Sequence, residues 1–514
     1  MTTSPFQSIA ATGLHPHEPR EADNEAHPQM SLDSLVASLL ARRAPSSPTM
    51  PAAANFENTP IVSEGCGPAR GKAMSVTRLP LTGGVYSEND AIARMNEHYF
   101  IGRSKGETAI FRINDDGSAT VVPNEEFRLE VQNIFVVHGR GSAKPVAIEK
   151  FWKESPYRHE RTLVFKPGGA AQPGEFNLWR GFGVEPQQGW QKQRRFLRHL
   201  LRVICRRDRE KFKYLMRLFA WFVQNPDKHA GVVLVLKSRQ EGTGKSTVGQ
   251  VLLEIFGQHG LLVDDKERLL GRFTDHLETT CFVLAEEILF AGDRKSADKM
   301  KSMITGDKLQ LERKYGSCRQ VQNRMKVVAT TNHDHAIVAG TGDRRYVVYD
   351  VGSEHAEDKE WFDALYQDLA DGGTSEFLWL LRSIKLESWH PRMVIRTAET
   401  KEQQRMSGDS VSQWSQSCII ADAIIGADPG PYFDLRALIS FPDLLNAYTG
   451  FCKQTGQRAV GPEVFGRACA EMFGPRSRLP AGAGGAGTNK RPWGYYVPTA
   501  QNWQLEVDRR LGVK

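Results

Sequence analysis

One hexapeptide constrains this chain more than any other feature, Gly242-Thr-Gly-Lys-Ser-Thr247. It directly follows the apolar run Val232–Leu236 and opens a helical pattern carrying Val248, Val251, Leu252, Leu253 and Ile255. Strand, glycine loop and helix in that order form a phosphate cradle. The glycines let backbone N–H groups turn inward, and the helix N-terminus adds partial positive charge. In such a loop Gly242, Thr243, Gly244, Lys245, Ser246 and Thr247 bind the nucleotide: Lys245 reaches the β- and γ-phosphates, and Ser246 offers a hydroxyl to Mg²⁺. A full pattern wants glycine at 239, where this chain has Arg239. The plain alternative is a glycine-rich turn before a helix.

Further along comes Cys281-Phe-Val-Leu-Ala-Glu-Glu287, an apolar strand ending in two acids. One carboxylate suits a hydrated Mg²⁺ and the next suits an attacking water. The assignment is Glu286 to the metal and Glu287 to the water, since neighbours on a strand point to opposite faces. Without the glycine loop, the same pair reads as a solvated strand end. Lys326-Val-Val-Ala-Thr-Thr-Asn332 is a third strand. Its terminal Asn332 can contact a γ-phosphate or the attacking water, or be a strand-to-turn asparagine. Asp343-Arg-Arg-Tyr346 begins a fourth strand. Arg344 and Arg345 suit neutralisation of a phosphoryl transition state, with surface ion pairs as the alternative. One of the two is expected to act and the other to form an ion pair, with Arg345 favoured to act.

Alternating apolar strands and polar helices imply an α/β fold, a parallel sheet covered by helices. The chain is expected to divide into a disordered tail (1–57, with a short helix near Leu32–Arg43), a mixed, strand-rich α+β region (58–190) and a basic helical segment (191–228). An ATPase domain (229–390), a connection (391–429) and a small C-terminal domain (430–514) follow. Within 192–217, eleven Lys or Arg stand against Asp208 and Glu210. Such a run is either a solvated helix face or a surface for DNA or an acidic neighbour. The C-terminal stretch reads helix, helix, hairpin around a Gly-rich tip, which looks like a winged helix or a packing domain. Asp115-Asp116 sits in a glycine turn and reads as a hairpin loop, so no polymerase site is expected.

Bulk properties add bounds. Lys plus Arg number 67 and Asp plus Glu 60, for a net charge of +7. That mild excess permits nucleic-acid binding without demanding it. The seven cysteines are scattered, so neither a zinc site nor a disulfide frame is indicated, and a reduced cytoplasm fits. No apolar run approaches the ~18 residues of a membrane span.

Glycine loop, acid-pair strand, Thr-Thr-Asn strand and Arg-Arg, in that order, resemble superfamily 3 helicases, and more closely the helicase half of phage and plasmid primase–helicases. The likeness extends to a phage and prophage ATPase family often labelled only as a domain of unknown function. Phe176-Asn-Leu-Trp-Arg-Gly181, Val223-Gln-Asn-Pro226 and Lys301-Ser-Met-Ile-Thr-Gly306, followed by a hairpin from Leu309 to Lys314, are similar to that family's text. Arg239 for glycine and Glu286 for the commoner aspartate depart from it. The resemblance implies a P-loop, AAA+-like core using ATP and Mg²⁺ in a homo-hexameric ring. ATP sits between subunits, Arg344 or Arg345 reaches the neighbour's γ-phosphate, and DNA threads the channel past Lys314 and Tyr315. It implies an ATP-dependent DNA helicase in phage or mobile-element replication, with any primase on a separate chain. The alternatives are an ATPase that loads or remodels a replication complex without unwinding, and a DNA-binding initiator with a degenerate ATPase.

Overall fold

The computed structural model describes residues 32–40, 81–104, 107–137, 144–287, 294–312, 318–333, 337, 343–426, 433–480 and 491–513. The chain forms two compact units, one ending at Arg180 and one running from Gly181, the latter joined by residues 30–48.

In the first unit, five strands pair in the order Ala119–Val122, Glu107–Ile113, Tyr99–Ser104, Glu160–Val164, Glu175–Asn177. Gly84–Ser87 and Ile134–Val137 pair in parallel in a second, smaller sheet. Tyr99, Phe127 and Trp152 meet in a core shared by both sheets, with Tyr99 edge-on to Phe127 at 5.0 Å between centroids. Asp115 and Asp116 occupy the turn between two antiparallel strands, where Gly117 N–H donates to the Asn114 carbonyl at 2.9 Å. Asn177, from the text that resembles the helicase family, accepts from the backbone N–H groups of Lys166 and Trp179 and so braces its own loop.

The second unit is built on five parallel strands. In chain order they are β1 (Val233–Lys237), β2 (Gly260–Val263), β3 (Phe282–Glu286), β4 (Lys326–Thr331) and β5 (Tyr346–Asp350). They lie side by side as β2-β3-β4-β1-β5. The strands read as continuous apolar runs because both faces are covered. On one face Val235, Val283, Ala285 and Ala329 pack with Met300 and Ile304 of the helix Arg294–Thr305, and with Leu309, Leu311 and Val321 of a hairpin. On the other, Phe282 stacks on Phe256 at 5.5 Å. Burying each such side chain contributes roughly 1.5–3 kcal/mol. The strands Lys308–Glu312 and Cys318–Gln322 pair antiparallel, the first of them overlapping the Leu309–Lys314 stretch likened to the family's hairpin. Lys314 and Tyr315 lie outside the described residues.

The helix α1 (Lys245–Phe256) follows the glycine loop and lies across β3. Gly249 makes that approach possible, since a Cβ there would come within 2.2 Å of Leu284. The helix α2 (Arg209–Gln224) is capped by Asp208, which accepts from the N–H groups of Glu210 and Lys211. Gln224 donates to the Leu381 and Ile384 carbonyls, and the fully buried Lys326 ammonium donates to the carbonyls of Pro226, Lys228 and Arg324. Val223–Pro226 thus joins α2 to β4.

The eleven-cation block is largely spent inside this unit. Arg195 pairs with Asp368, Arg202 with Glu354, Arg206 with Asp350, and Lys211 with Glu399, all at 2.7–2.8 Å. Arg207 also reaches Glu354, and Lys213 reaches Asp33. The acidic neighbour sought in the sequence reading is, for these six cations, the same chain. Asp33 belongs to the helix Leu32–Leu40, whose Leu35, Val36 and Leu39 are buried. That segment of the expected tail is therefore packed against the second unit.

Beyond β5 come helices Lys359–Asp368 (α3), Thr374–Ser383 (α4) and Ala398–Met406 (α5). A separate hydrophobic cluster then runs from Val411 to Val513. It contains helices Phe441–Gln454 and Pro462–Phe473 and a three-stranded antiparallel sheet of Leu438–Ser440, Trp493–Tyr496 and Ser477–Arg478. The helix Ser410–Ala421, in the stretch read as a connection, supplies Val411, Trp414 and Cys418 to that cluster. Among the described residues no helix is long and apolar enough to cross a membrane.

Candidate nucleotide site

The site lies where β1, β3 and β4 end. Gly242 and Gly244 carry the positive φ values of the loop, 66° and 79°, while Arg239 is not among the residues with positive φ. A side chain at 239 therefore costs no backbone strain there, and the departure from the glycine pattern is local. Position 244 admits only glycine for a second reason: a Cβ would fall 2.6 Å from the His199 ring.

Lys245 is nearly buried, and its ammonium donates to Ser238 Oγ at 2.8 Å and to Asn332 Oδ1 at 2.6 Å. Burial lowers its pKa, opposed by the Glu287 and Glu241 carboxylates. Asn332 N–H donates in turn to Glu287 Oε2 at 3.1 Å, and Thr331 Oγ1 donates to the same oxygen at 3.4 Å. Lysine, amide and acid thus form one continuous polar chain across three strand ends.

The two acids do not diverge as an extended strand would make them. β3 ends at Glu286, and Glu287 turns into the left-handed region at φ 54°. Its N–H still donates to the Thr330 carbonyl at 3.0 Å. Holding a non-glycine residue there costs about 1–3 kcal/mol. Both carboxylates consequently line one cleft of about 340 Å³, together with Gly242 to Thr247, Thr330 and Asn332. The expectation of opposite faces is corrected by this turn.

Glu286 Oε1 is buried without a hydrogen-bond partner among the described residues. An orphaned carboxylate oxygen beside the Ser246 hydroxyl is a donor set for a hard cation such as Mg²⁺, which takes few protein oxygens and completes its shell with phosphate and water. Thr243 is buried, with Oγ1 3.2 Å from Ser238 Oγ, and Thr247 Oγ1 lies 3.0 Å from the Tyr366 hydroxyl.

Three residues of the site are absent from the sequence reading. Phe362 and Tyr366, on successive turns of α3, line the cleft with their rings stacked 6.1 Å apart. His199 lies wholly buried under the loop, with Nε2 3.2 Å from the Gly244 carbonyl oxygen and its ring 5.3 Å from that of Trp361. Burial pushes its pKa down to about 4. A lone histidine in a cationic run and two aromatics in an amphipathic helix carry no local signal; only the fold brings them to the loop.

The arginines are elsewhere. β5 runs parallel to β1, with Tyr346 opposite Val233 and Asp350 opposite Lys237. Arg344 and Arg345 therefore sit at the edge where the strands begin, and the glycine loop at the edge where they end. A five-residue strand separates the two edges, about 17 Å at ~3.3 Å per residue. Asp343 pairs with Arg345 at 3.3 Å and accepts its N–H at 2.9 Å. Arg344 is exposed and makes no ion pair among the described residues. Of the two, Arg345 is thus the ion-paired one, because Asp343 folds back on the residue two along.

Residues 236–345 match a family of unknown function (DUF5906). That segment contains all the site residues expected from sequence. No curated protein is similar enough in sequence to match the chain. Among solved structures, the apo C-terminal region of NrS-1 (305–718) aligns over 78% of this chain and 97% of its own, at 15% identity and a TM-score of 0.55. A second apo form of the same region aligns over 78% and 96%, at 14% identity and a TM-score of 0.52. At these identities the likeness is one of fold. A JCV helicase bound to a small molecule aligns at a TM-score of 0.23 over 40% of this chain, too loosely to bear on the fold.

Proposed function

We propose that this chain is an ATP-driven, superfamily 3 type DNA helicase of phage or mobile-element replication, working as a homo-hexameric ring. The observation that carries the reading is the unbroken contact from Lys245 through Asn332 to Glu287. In a nucleotide-bound cleft, Lys245 holds the β- and γ-phosphates, Ser246 and Glu286 hold Mg²⁺, and Glu287 takes the proton of the attacking water. Asn332 lies between the lysine and the base and registers the γ-phosphate. The metal supplies charge neutralisation at the phosphates. Arg344, at the far edge of the sheet, cannot reach its own cleft and serves a neighbour's. Lys314 and Tyr315 serve as contacts to DNA. The C-terminal helices and antiparallel strands serve as a winged-helix module, and a primase acts from another chain.

The test is strand displacement on a forked duplex with ATP and Mg²⁺. Unwinding by the intact chain and none by Lys245→Ala supports the reading. A second reading, an ATPase that loads or remodels a replication complex, is favoured by the internal pairing of Arg195, Arg202, Arg206, Arg207, Lys211 and Lys213, which leaves less free charge for DNA. ATP hydrolysis without strand displacement would select it.

A further inference from the structure

A cavity of about 390 Å³ opens at the edge of the sheet where β1 and β5 begin. Arg344, Arg392, Arg396 and Lys401 line it, with Thr400 and Gln404. Arg392 lies against Gly231, where an added Cβ would fall 2.4 Å from its Nε. None of the four cations is paired with a carboxylate among the described residues. Asp343, the one acid in the wall, is engaged by Arg345. Four unpaired cations around one concavity repel each other unless an anion enters.

We propose that this cavity is a phosphate socket, in which Arg392, Arg396 and Lys401 join Arg344 in gripping the triphosphate of a nucleotide held by a neighbouring copy. The inference rests on the shared-site reading above and extends it to three residues beyond the family segment. A triphosphate concentrates its charge in one compact group, which matches four cations around a single pocket. A DNA backbone spreads one charge per ~3.4 Å along each strand and calls for an elongated stripe instead. The chain's own phosphate loop is at the opposite edge of the sheet, so its own nucleotide is out of reach.

The test uses the full chain carrying Arg396→Gln and Lys401→Gln. Its ATPase rate at saturating ATP is expected to fall at least tenfold with the melting temperature unchanged. Mixed with Lys245→Ala protein, it should recover activity, with a maximum at an intermediate ratio, because intact sockets then face intact loops. An undiminished rate in the double variant overturns the socket. A fallen rate with no recovery, where Arg344→Ala mixed with Lys245→Ala does recover, means the cations act within their own copy; the inference fails and the shared site stands. If neither mixture recovers, the shared site itself is wrong and the inference goes with it. Direct titration with labelled ATP covers the remaining source of phosphate. If Lys245→Ala protein keeps an ATP site that the added Arg396→Gln and Lys401→Gln changes abolish, the cavity holds a free nucleotide and the trans inference is overturned.

Discussion

The Lys245 ammonium and the Asn332 amide oxygen lie 2.6 Å apart across 87 residues of sequence. The fold closes that distance by placing β4 beside β1, so a helix N-terminus and a strand end share one cleft. Lys245→Ala should lower ATP hydrolysis by about 10²–10³-fold, the scale of losing one preorganised charge at a phosphoryl group. Its melting temperature should barely move, since the lysine serves the cleft rather than the core. Steady-state hydrolysis alongside thermal unfolding checks both, and a variant that hydrolyses ATP normally contradicts the assignment.

Glu287→Gln keeps the oxygen that accepts from Asn332 N–H but loses the base. Turnover should drop by about 10²–10⁴-fold, while ATP affinity stays within a few-fold, because Glu286 and Ser246 remain. Single-turnover hydrolysis and equilibrium nucleotide binding separate the two effects. Lost affinity with preserved turnover means the roles of Glu286 and Glu287 are exchanged.

The two arginines should divide cleanly. Arg345→Ala takes the cation away from the buried Asp343 carboxylate and should show chiefly as a loss of stability of about 1–3 kcal/mol. Arg344→Ala should leave stability alone and nearly abolish hydrolysis, recovering in part when mixed with Lys245→Ala protein. ATPase rate against mixing ratio is the measurement. Recovery with Arg345→Ala and not with Arg344→Ala reverses the assignment.

His199 links stability to pH. Burial holds its folded pKa at about 4, against about 6.5 for a free imidazole. Between those values the unfolded chain takes up a proton that the folded chain refuses, so stability falls as pH drops from 7 toward 4. The loss is about 2 kcal/mol by pH 5. His199→Gln should remove that component, so the difference in unfolding free energy between the two proteins should change across pH 5–7 by that amount. A pH-independent difference contradicts a buried neutral imidazole under the loop.

The legible parts of this fold are those whose physics is local. Val233–Lys237, Phe282–Glu286 and Lys326–Thr331 are buried on both faces along their middles, so each carries a short unbroken apolar run that is visible in sequence. The glycine loop advertises itself because Gly242 and Gly244 must turn left-handed. What sequence hides is long-range. Nothing near His199 announces that it will lie under Gly244, and nothing in Phe362 or Tyr366 announces a cleft. The cationic block from 192 to 217 looks like a surface for a polyanion because Asp350, Glu354, Asp368 and Glu399, its partners, lie far downstream. The left-handed turn at Glu287 overrides strand alternation, which no pattern of apolar residues encodes.

The central claim is that the cleft's hydrolysis is coupled to DNA. Its most direct test is the steady-state ATPase rate of the intact chain with and without saturating single-stranded DNA, Lys245→Ala serving as the blank. The account predicts a several-fold higher rate with DNA and none in the blank. A Lys245-dependent rate that DNA leaves unchanged would contradict it.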